Sequence, residues 1–298
     1  SAEHGSCWQS TRCSQAVGRS HCIADRKSTH CAFDSNTSMG VTPPMVNVND
    51  VCQVLQLLAP LPTAESWDNV GLLLGRPERA VTRLMTCLTL TPSVAREAIT
   101  GSVEMIVTHH PVMFRATKTI TSGTIEGRML LDLIEAGVAV YSPHTAFDNA
   151  ELGINQWLAE SLGLESIQPL RPFLQGISGG SGRVGVFAEP QSQQKFLESL
   201  AGVVGADYLE IAWHGSDHVS RVGLACGSAA EYLTDAIQTE CDTFVTGESR
   251  FHSAVECQSR GVNLVLTGHF SSERPAVEKL ASVLSERLGN VECFSSKE

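Results

Sequence analysis

Several features that mark common protein classes are missing from this sequence of 298 residues. No run of about 18 apolar residues is free of charge, so no segment is suited to cross a bilayer as a helix. Basic residues are scarce, with 21 lysines and arginines against 32 acidic residues and a net charge of −11. Such a chain does not attract the phosphate backbone of a nucleic acid. We therefore expect a soluble protein with neither a membrane segment nor a nucleic-acid partner.

Two short motifs are also missing. The G-x-x-x-x-G-K-[ST] pattern of phosphate-binding loops does not occur, and none of the ten cysteines forms a C-x-x-C pair. Four cysteines lie in the first 38 residues, and the other six fall mostly within apolar segments. This distribution predicts reduced, buried thiols in a cytoplasmic protein, without a disulfide framework.

Residues 1–38 show neither helical nor strand periodicity and are rich in serine, cysteine, histidine and arginine. The pairs His21-Cys22 and His30-Cys31 suggest zinc, but their spacing does not match the short C-x(2 to 4)-C element of structural zinc sites. We expect a disordered extension, or translation upstream of a natural start at Met39.

Beyond Met39, short apolar runs alternate with helical patterns, which is typical of an α/β protein with parallel or mixed sheets. Buried strands are expected at 83–90, 104–110, 138–144, 183–189, 220–227, 242–248 and 263–269. Helices are expected between Asn49 and Pro60, after Thr91, and at 124–137, 150–163, 229–238, 253–261 and 276–289. The glycine-rich stretch 169–182 predicts a linker between two facing α/β subdomains, 39–168 and 183–298, with the functional site between them.

Polar side chains gather where the predicted strands end. His109 and His110 close one strand, and two further strands close on a histidine followed four residues later by a carboxylate, His144 with Asp148 and His269 with Glu273. Ligands bind beyond the carboxyl ends of strands in open α/β sheets. Adjacent histidines need polar partners when buried, and a metal ion supplies one. The alternative is a structural strand end with carboxylates that only cap helices.

The donor set His109, His110, Asp148, His269 and Glu273 is large enough for two divalent ions, with Glu273 as the bridge. Imidazole and carboxylate ligands suit zinc, iron, manganese, nickel or cobalt. His144 and His252 are secondary candidates for catalysis, because each lies near a strand end beside a carboxylate. Asp68, Asn69 and Glu248 are candidates to line the pocket, although a plain turn is the default for the first two.

With these motifs in place, the chain resembles the Ngg-interacting-factor-three-like family, whose members are often described as GTP cyclohydrolase 1 type 2 homologues. The resemblance extends from about Val48 to Leu288 and is carried by six ordered motifs, SWDNVGLLLG, VTHHPVMF, HTAFDNAELGINQWLAESLGL, CGSAAEYL, TGESRFHSA and TGHFSSE. It implies a toroidal homohexamer and a dinuclear site between two α/β subdomains, with the same five ligands. Phe270 departs from the second histidine that many relatives carry there, but it is not one of those ligands.

Three functions remain open. The resemblance implies a hydrolase that opens the purine ring of GTP and releases formate, with His144 or His252 supplying protons. A second possibility keeps the metal ions but acts on phosphoesters, since one metal site supports many reactions. A third is a non-catalytic or regulatory metal-binding hexamer that recruits a protein partner.

Overall fold

A computed structural model of the chain describes residues 45–173 and 178–298. The predicted extension 1–38 lies outside these ranges, as does the middle of the predicted linker. Within them nine α-helices form: Val48–Leu58 (α1), Pro92–Thr100 (α2), Ile125–Ala136 (α3), His144–Asn149 (α4), Ile154–Ser161 (α5), Gln193–Val204 (α6), Leu233–Gln238 (α7), Phe251–Arg260 (α8) and His269–Leu288 (α9). Short 3₁₀ turns occupy Leu61–Thr63 and Ala230–Tyr232. None of these helices combines the length and apolarity that a bilayer crossing requires.

Two large sheets and one short ribbon hold the strands of the same ranges. The strands are Gly71–Leu74 (β1), Arg83–Cys87 (β2), Met105–Thr108 (β3), Ala139–Ser142 (β4), Glu165–Gln168 (β5), Arg171–Pro172 (β6), Gly180–Ser181 (β7), Arg183–Ser192 (β8), Glu210–Ala212 (β9), His218–Ala225 (β10), Thr243–Thr246 (β11), Asn263–Leu266 (β12) and Glu292–Ser295 (β13). All seven predicted runs contain a strand, which confirms the α/β class with mixed sheets.

The first sheet has the order β1-β4-β3-β2-β13, and all of its pairs are parallel except β1 with β4. The second has the order β5-β8-β10-β11-β12-β9. Its central strands β10, β11 and β12 are parallel, and the outer pairs are antiparallel. Strands β3, β4 and β11 are buried along their whole length, as expected for parallel strands covered by helices on both faces.

Local chemistry fixes the helix boundaries. Asn47 and Asp50 form a reciprocal capping box at the start of α1, and Gly137 ends α3 in the left-handed conformation. The helix predicted over 150–163 begins only at Ile154, because the chain turns at Gly153. A side chain there would overlap the carbonyl oxygen of Phe147.

The start predicted for the last helix, residue 276, is wrong. Helix α9 begins at His269, directly after Gly268, and Pro275 lies inside it. A proline is costly within a helix because it donates no hydrogen bond. The earlier start places His269 and Glu273 one turn apart on the same helix face.

One hydrophobic cluster joins the two sheets. It includes Leu84 and Met105 from the first sheet, Val222 and Val265 from the second, and Leu280 of α9, all 5% exposed or less. The division at 169–182 into subdomains 39–168 and 183–298 stays a prediction. In that stretch β6 and β7 pair with each other.

Arg183 is the largest fully buried side chain of the described residues, with 1% exposure. Its guanidinium donates to Gln156 Oε1 at 2.8 Å, to the carbonyls of Gly180 and Gly182 at 2.8 and 2.6 Å, and to that of Ala150. Burial lowers the pKa of Arg183 to about 10. Because Ala150 follows α4 directly, this one side chain fixes that helix against the start of β8.

We predict that Arg183→Met lowers the free energy of unfolding by about 3 kcal/mol, because several buried carbonyl oxygens lose their donor. Urea denaturation followed by circular dichroism measures the change. Arg287→Met on the exposed side of α9 is the matched control, and its effect should stay within about 0.5 kcal/mol. Equal stability of the two variants would contradict the role assigned to Arg183.

Candidate metal centre

His109 and His110 follow β3 in a backbone conformation that neighbouring strands fix. Their N–H groups donate to the carbonyls of Cys87 and Leu88, each at 2.9 Å, and Ser142 Oγ donates to the carbonyl of His109 at 2.7 Å. His109 is 4% exposed, and neither of its ring nitrogens has a hydrogen-bond partner among the described residues. A buried imidazole without a partner is costly, so this position fits a ligand that supplies one.

Glu273 faces the paired imidazoles from α9. Its Oε2 lies 3.1 Å from His110 Nε2 and 3.2 Å from His269 Nε2, while its Oε1 lies 3.8 Å from His109 Nε2. Asp148 Oδ1 lies 3.5 Å from the same nitrogen of His109 and has no hydrogen-bond partner in the described part of the chain. The two oxygens of Glu273 therefore face two donor sets, one with His109 and Asp148 and one with His110 and His269.

The electrostatics of this cluster suit a cation. Burial lowers the pKa of His109 to about 3, so its imidazole is neutral at pH 7, the form that binds metals. Burial opposes the charge of Glu273, yet hydrogen bonds from His110 and His269 hold its pKa well below the ordinary range. Burial, and then repulsion by Glu273, raise the pKa of Asp148. A divalent ion would relieve both the repulsion and the missing hydrogen bonds.

In each of two groups of side chains, the potential ligand atoms all lie within 4.8 Å of one another. One is His110, His269 and Glu273, and the other is His109, His110 and His144. Asp148 belongs to neither group, but its Oδ1 lies 3.5 Å from His109 Nε2, so the structure brings all five predicted ligands to one place. It adds the imidazole of His144, which sequence reasoning gave only a secondary role.

The ring of His144 is held by Asp68. Its Nδ1 lies 2.8 Å from both oxygens of Asp68, and Thr145 donates to the same carboxylate through its N–H at 3.1 Å and its hydroxyl. Although burial opposes the charge, these hydrogen bonds lower the pKa of Asp68 to about 2. A carboxylate only accepts, so Nδ1 of His144 must carry the proton, and Nε2 is left free.

Three further side chains that the sequence predicted for the site, Glu248, Asn69 and His252, lie in different surroundings. Glu248 accepts from His269 Nδ1 at 3.1 Å, as a carboxylate behind a metal-binding histidine does. Asn69 donates to the carbonyl of Met113 at 2.7 Å. His252 lies exposed on α8 beside the ring of Phe251 and does not line the cavity described next.

A cavity of about 550 Å³ opens onto the cluster. His110, His144, Asp148, His269 and Glu273 form its polar floor. This volume is typical of sites for small ligands. Gly227 lies so close to Glu273 that a side chain at position 227 would overlap Glu273 Oε1, so only glycine leaves room for the carboxylate.

Glycine patterns of two other enzyme classes occur between residues 176 and 185, and sequence reasoning overlooked them. The G-x-G-x-x-G pattern at 180–185 runs from β7 into β8, whereas dinucleotide binding requires a turn from a strand into a helix. The G-x-S-x-G pattern at 176–180 falls partly outside the described residues. Neither pattern changes the assignment of the site.

Fold and donor set together define an α/β protein with a candidate metal centre of imidazole and carboxylate side chains at the meeting point of two sheets. The profile of the Duf34/NIF3 (NGG1p interacting factor 3) family matches residues 46–298. The chain therefore belongs to the Duf34/NIF3 family, as its motifs predicted.

Individual relatives agree with this assignment. A GTP cyclohydrolase 1 type 2 homolog of Clostridium perfringens is 30% identical over 254 residues, which cover 85% of this chain and 97% of the relative. A Protein NIF3 homolog of Schizosaccharomyces pombe is 35% identical over 222 residues, 71% of this chain and 79% of the relative.

Solved structures share the fold. A hypothetical protein of Staphylococcus aureus superimposes with a TM-score of 0.76 at 23% identity, over 86% of this chain and 97% of that one. Reduced HcgD from Methanocaldococcus jannaschii gives 0.74 at 24% identity, over 85% and 98%.

We predict that Glu273→Gln abolishes most metal binding, because the amide removes the anionic oxygens that both donor sets share. Elemental analysis should find about two transition-metal ions per chain in the wild type, and fewer than half as many in the variant. Glu278→Gln, exposed on the same helix, should retain the wild-type content. Unchanged metal content in Glu273→Gln would show that the ions bind elsewhere or not at all.

Proposed function

We propose that this chain is a metal-dependent hydrolase that acts on a nucleotide, and that its reaction is the opening of a purine ring with release of formate. The observation that carries the proposal is the buried Glu273 carboxylate, which faces two imidazole-containing donor sets on the floor of a cavity of about 550 Å³. A polar floor beneath an open cavity of this size is the usual arrangement of a small-molecule site.

The side chains divide into two sets in this proposal. His109 and Asp148 would hold one divalent ion, His110 and His269 the other, and Glu273 both. Paired ions at such a site polarise the attacked bond and lower the pKa of bound water towards neutrality. Glu248 and Thr89 hold His269 and His110 through their Nδ1 atoms, so that Nε2 of each ring faces Glu273.

GTP is the substrate that the relatives' names favour, since several are called GTP cyclohydrolase 1 type 2 homolog. This reaction consumes two water molecules. Hydrolysis of one bond from C8 to a ring nitrogen leaves a formamide on the other nitrogen, and hydrolysis of that formamide releases C8 as formate. We assign His144 the exchange of a proton with the leaving nitrogen. Its Nδ1 is fixed by Asp68, and it lines the cavity beside His110. His252 receives no role in this scheme, because it lies exposed on α8.

Purified protein whose metal content has been measured should release formate from GTP, and this release should stop after chelation and return when the ion is restored. The Glu273→Gln variant should release none, while Glu278→Gln should match the wild type. Formate assayed with formate dehydrogenase gives the rate.

Other outcomes distinguish the alternatives. Metal-dependent product from phosphoesters, with no formate from GTP, would move the reaction to phosphoester hydrolysis. Bound metal without turnover of any substrate would contradict the enzymatic proposal and favour a metal-binding or regulatory protein.

We also propose that the chain assembles into a homohexamer in the cytoplasm. The free cysteines of the described residues, Cys52, Cys87, Cys226, Cys241, Cys257 and Cys293, support a reducing compartment. Exposed apolar side chains such as Phe251 and Phe270, 78% and 52% exposed, supply surface for subunit contacts. Light scattering should give the mass of six chains, and a monomeric mass would rule the assembly out.

A further inference from the structure

Two aromatic rings stand exposed at the metal cavity. Trp67 is 60% exposed and Phe114 52%, and both line the cavity. Their centroids lie 5.8 Å apart with the planes inclined by 62°, so the two rings contact each other edge to face. Large aromatic side chains are usually buried on at least one face, and a pair left open towards a cavity offers a stacking surface to a ligand.

One imidazole separates this pair from the predicted metal ligands. The ring of His144 lies 6.2 Å from Trp67 and 6.3 Å from Phe114, and 5.3 and 5.7 Å from the rings of His109 and His110. A flat molecule stacked on the aromatic pair would therefore point one edge at His144 and the metal-binding side chains.

The loops that carry the two rings are fixed to each other and to the site. Asn69, two residues after Trp67, donates to the carbonyl of Met113, the neighbour of Phe114, at 2.7 Å. Asp68 between them binds His144 and Thr145 with a side chain that is fully buried. The rings are thus held in position before a ligand arrives, which reduces the entropy that binding costs.

We propose that Trp67 and Phe114 bind a planar heteroaromatic ring of the substrate and hold it with its reacting edge towards His144 and the metal centre. The inference rests on the proposed function and adds to it that the ring itself, rather than a sugar or phosphate group, is the part of the substrate recognised at the cavity wall. Loss of one stacking contact between a base and an aromatic side chain typically weakens binding about tenfold.

Isothermal titration calorimetry on the full-length, metal-analysed protein tests this with guanosine as the probe and ribose as the ringless comparison. Guanosine should bind more tightly than ribose. Trp67→Ala should raise the Kd for guanosine about tenfold, the loss of one stacking contact. Phe114→Ala should raise it in the same direction, and Trp67→Phe should restore most of the affinity, since a ring is again present.

Two controls separate a binding role from a structural one. Tyr208→Ala removes a still more exposed aromatic ring that does not line the cavity, and should leave the Kd unchanged. Elemental analysis should find wild-type metal content in Trp67→Phe and Phe114→Ala. Guanosine that binds no better than ribose, or a Kd that neither alanine variant alters, would overturn the proposal.

The ring site and the reaction can fail independently. If guanosine binding depends on Trp67 while GTP yields no formate, the ring site stands and the proposed reaction falls. If GTP is hydrolysed with the same KM by wild type and Trp67→Ala, the reaction stands and the ring site falls.

Discussion

The arrangement of the site depends on one buried carboxylate. Glu273 is 4% exposed, and an anion in such surroundings is costly unless cations or hydrogen-bond donors surround it. Its neighbours meet this demand: His110 and His269 stand at 3.1 and 3.2 Å, His109 lies slightly further away, and Gly227 leaves the space that the carboxylate occupies. Several unusual features of the chain have this common cause. They include adjacent histidines at a strand end, a glycine at positive φ, and a helix separated from its strand by only two residues.

Convergence of two sheets explains how residues far apart in sequence reach the carboxylate. His109 and His110 follow β3 of the first sheet, and His269 follows β12 of the second, each at a carboxyl end. A shared hydrophobic cluster fixes the two sheets against each other, and Arg183 fixes the end of α4, which carries Asp148. Apolar packing and one buried guanidinium therefore position the side chains of the candidate metal centre, although neither takes part in its chemistry.

Sequence reasoning identified the strands that lie inside the two large sheets. Each of the seven predicted strands lies in the interior of a sheet, where continuous apolar runs are required. Six strands were not assigned from the sequence. Two of them, β6 and β7, pair within the predicted linker, and the other four, β1, β5, β9 and β13, are the edges of the two large sheets. Three of these edge strands are short and partly polar. The five ligand candidates were found because a pair of adjacent histidines and two His-x-x-x-carboxylate spacings follow strand ends. The support of His144 by Asp68, 76 residues away, leaves no local pattern. The start of α9 was expected at residue 276, whereas the helix begins at His269 and includes Pro275.

Strand β13 has a consequence for the way the chain folds. It completes the first sheet by pairing in parallel with β2, and Glu292 meets Arg83 at a sequence separation of 209. When β2, β3 and β4 have left the ribosome, the edge of β2 that pairs with β13 is therefore still unpaired, and the whole second sheet remains to be synthesised. Until β13 emerges, the hydrogen-bonding groups of β2 stay accessible to other strands, including those of neighbouring nascent chains. The first sheet is therefore completed only after every strand of the second has been synthesised.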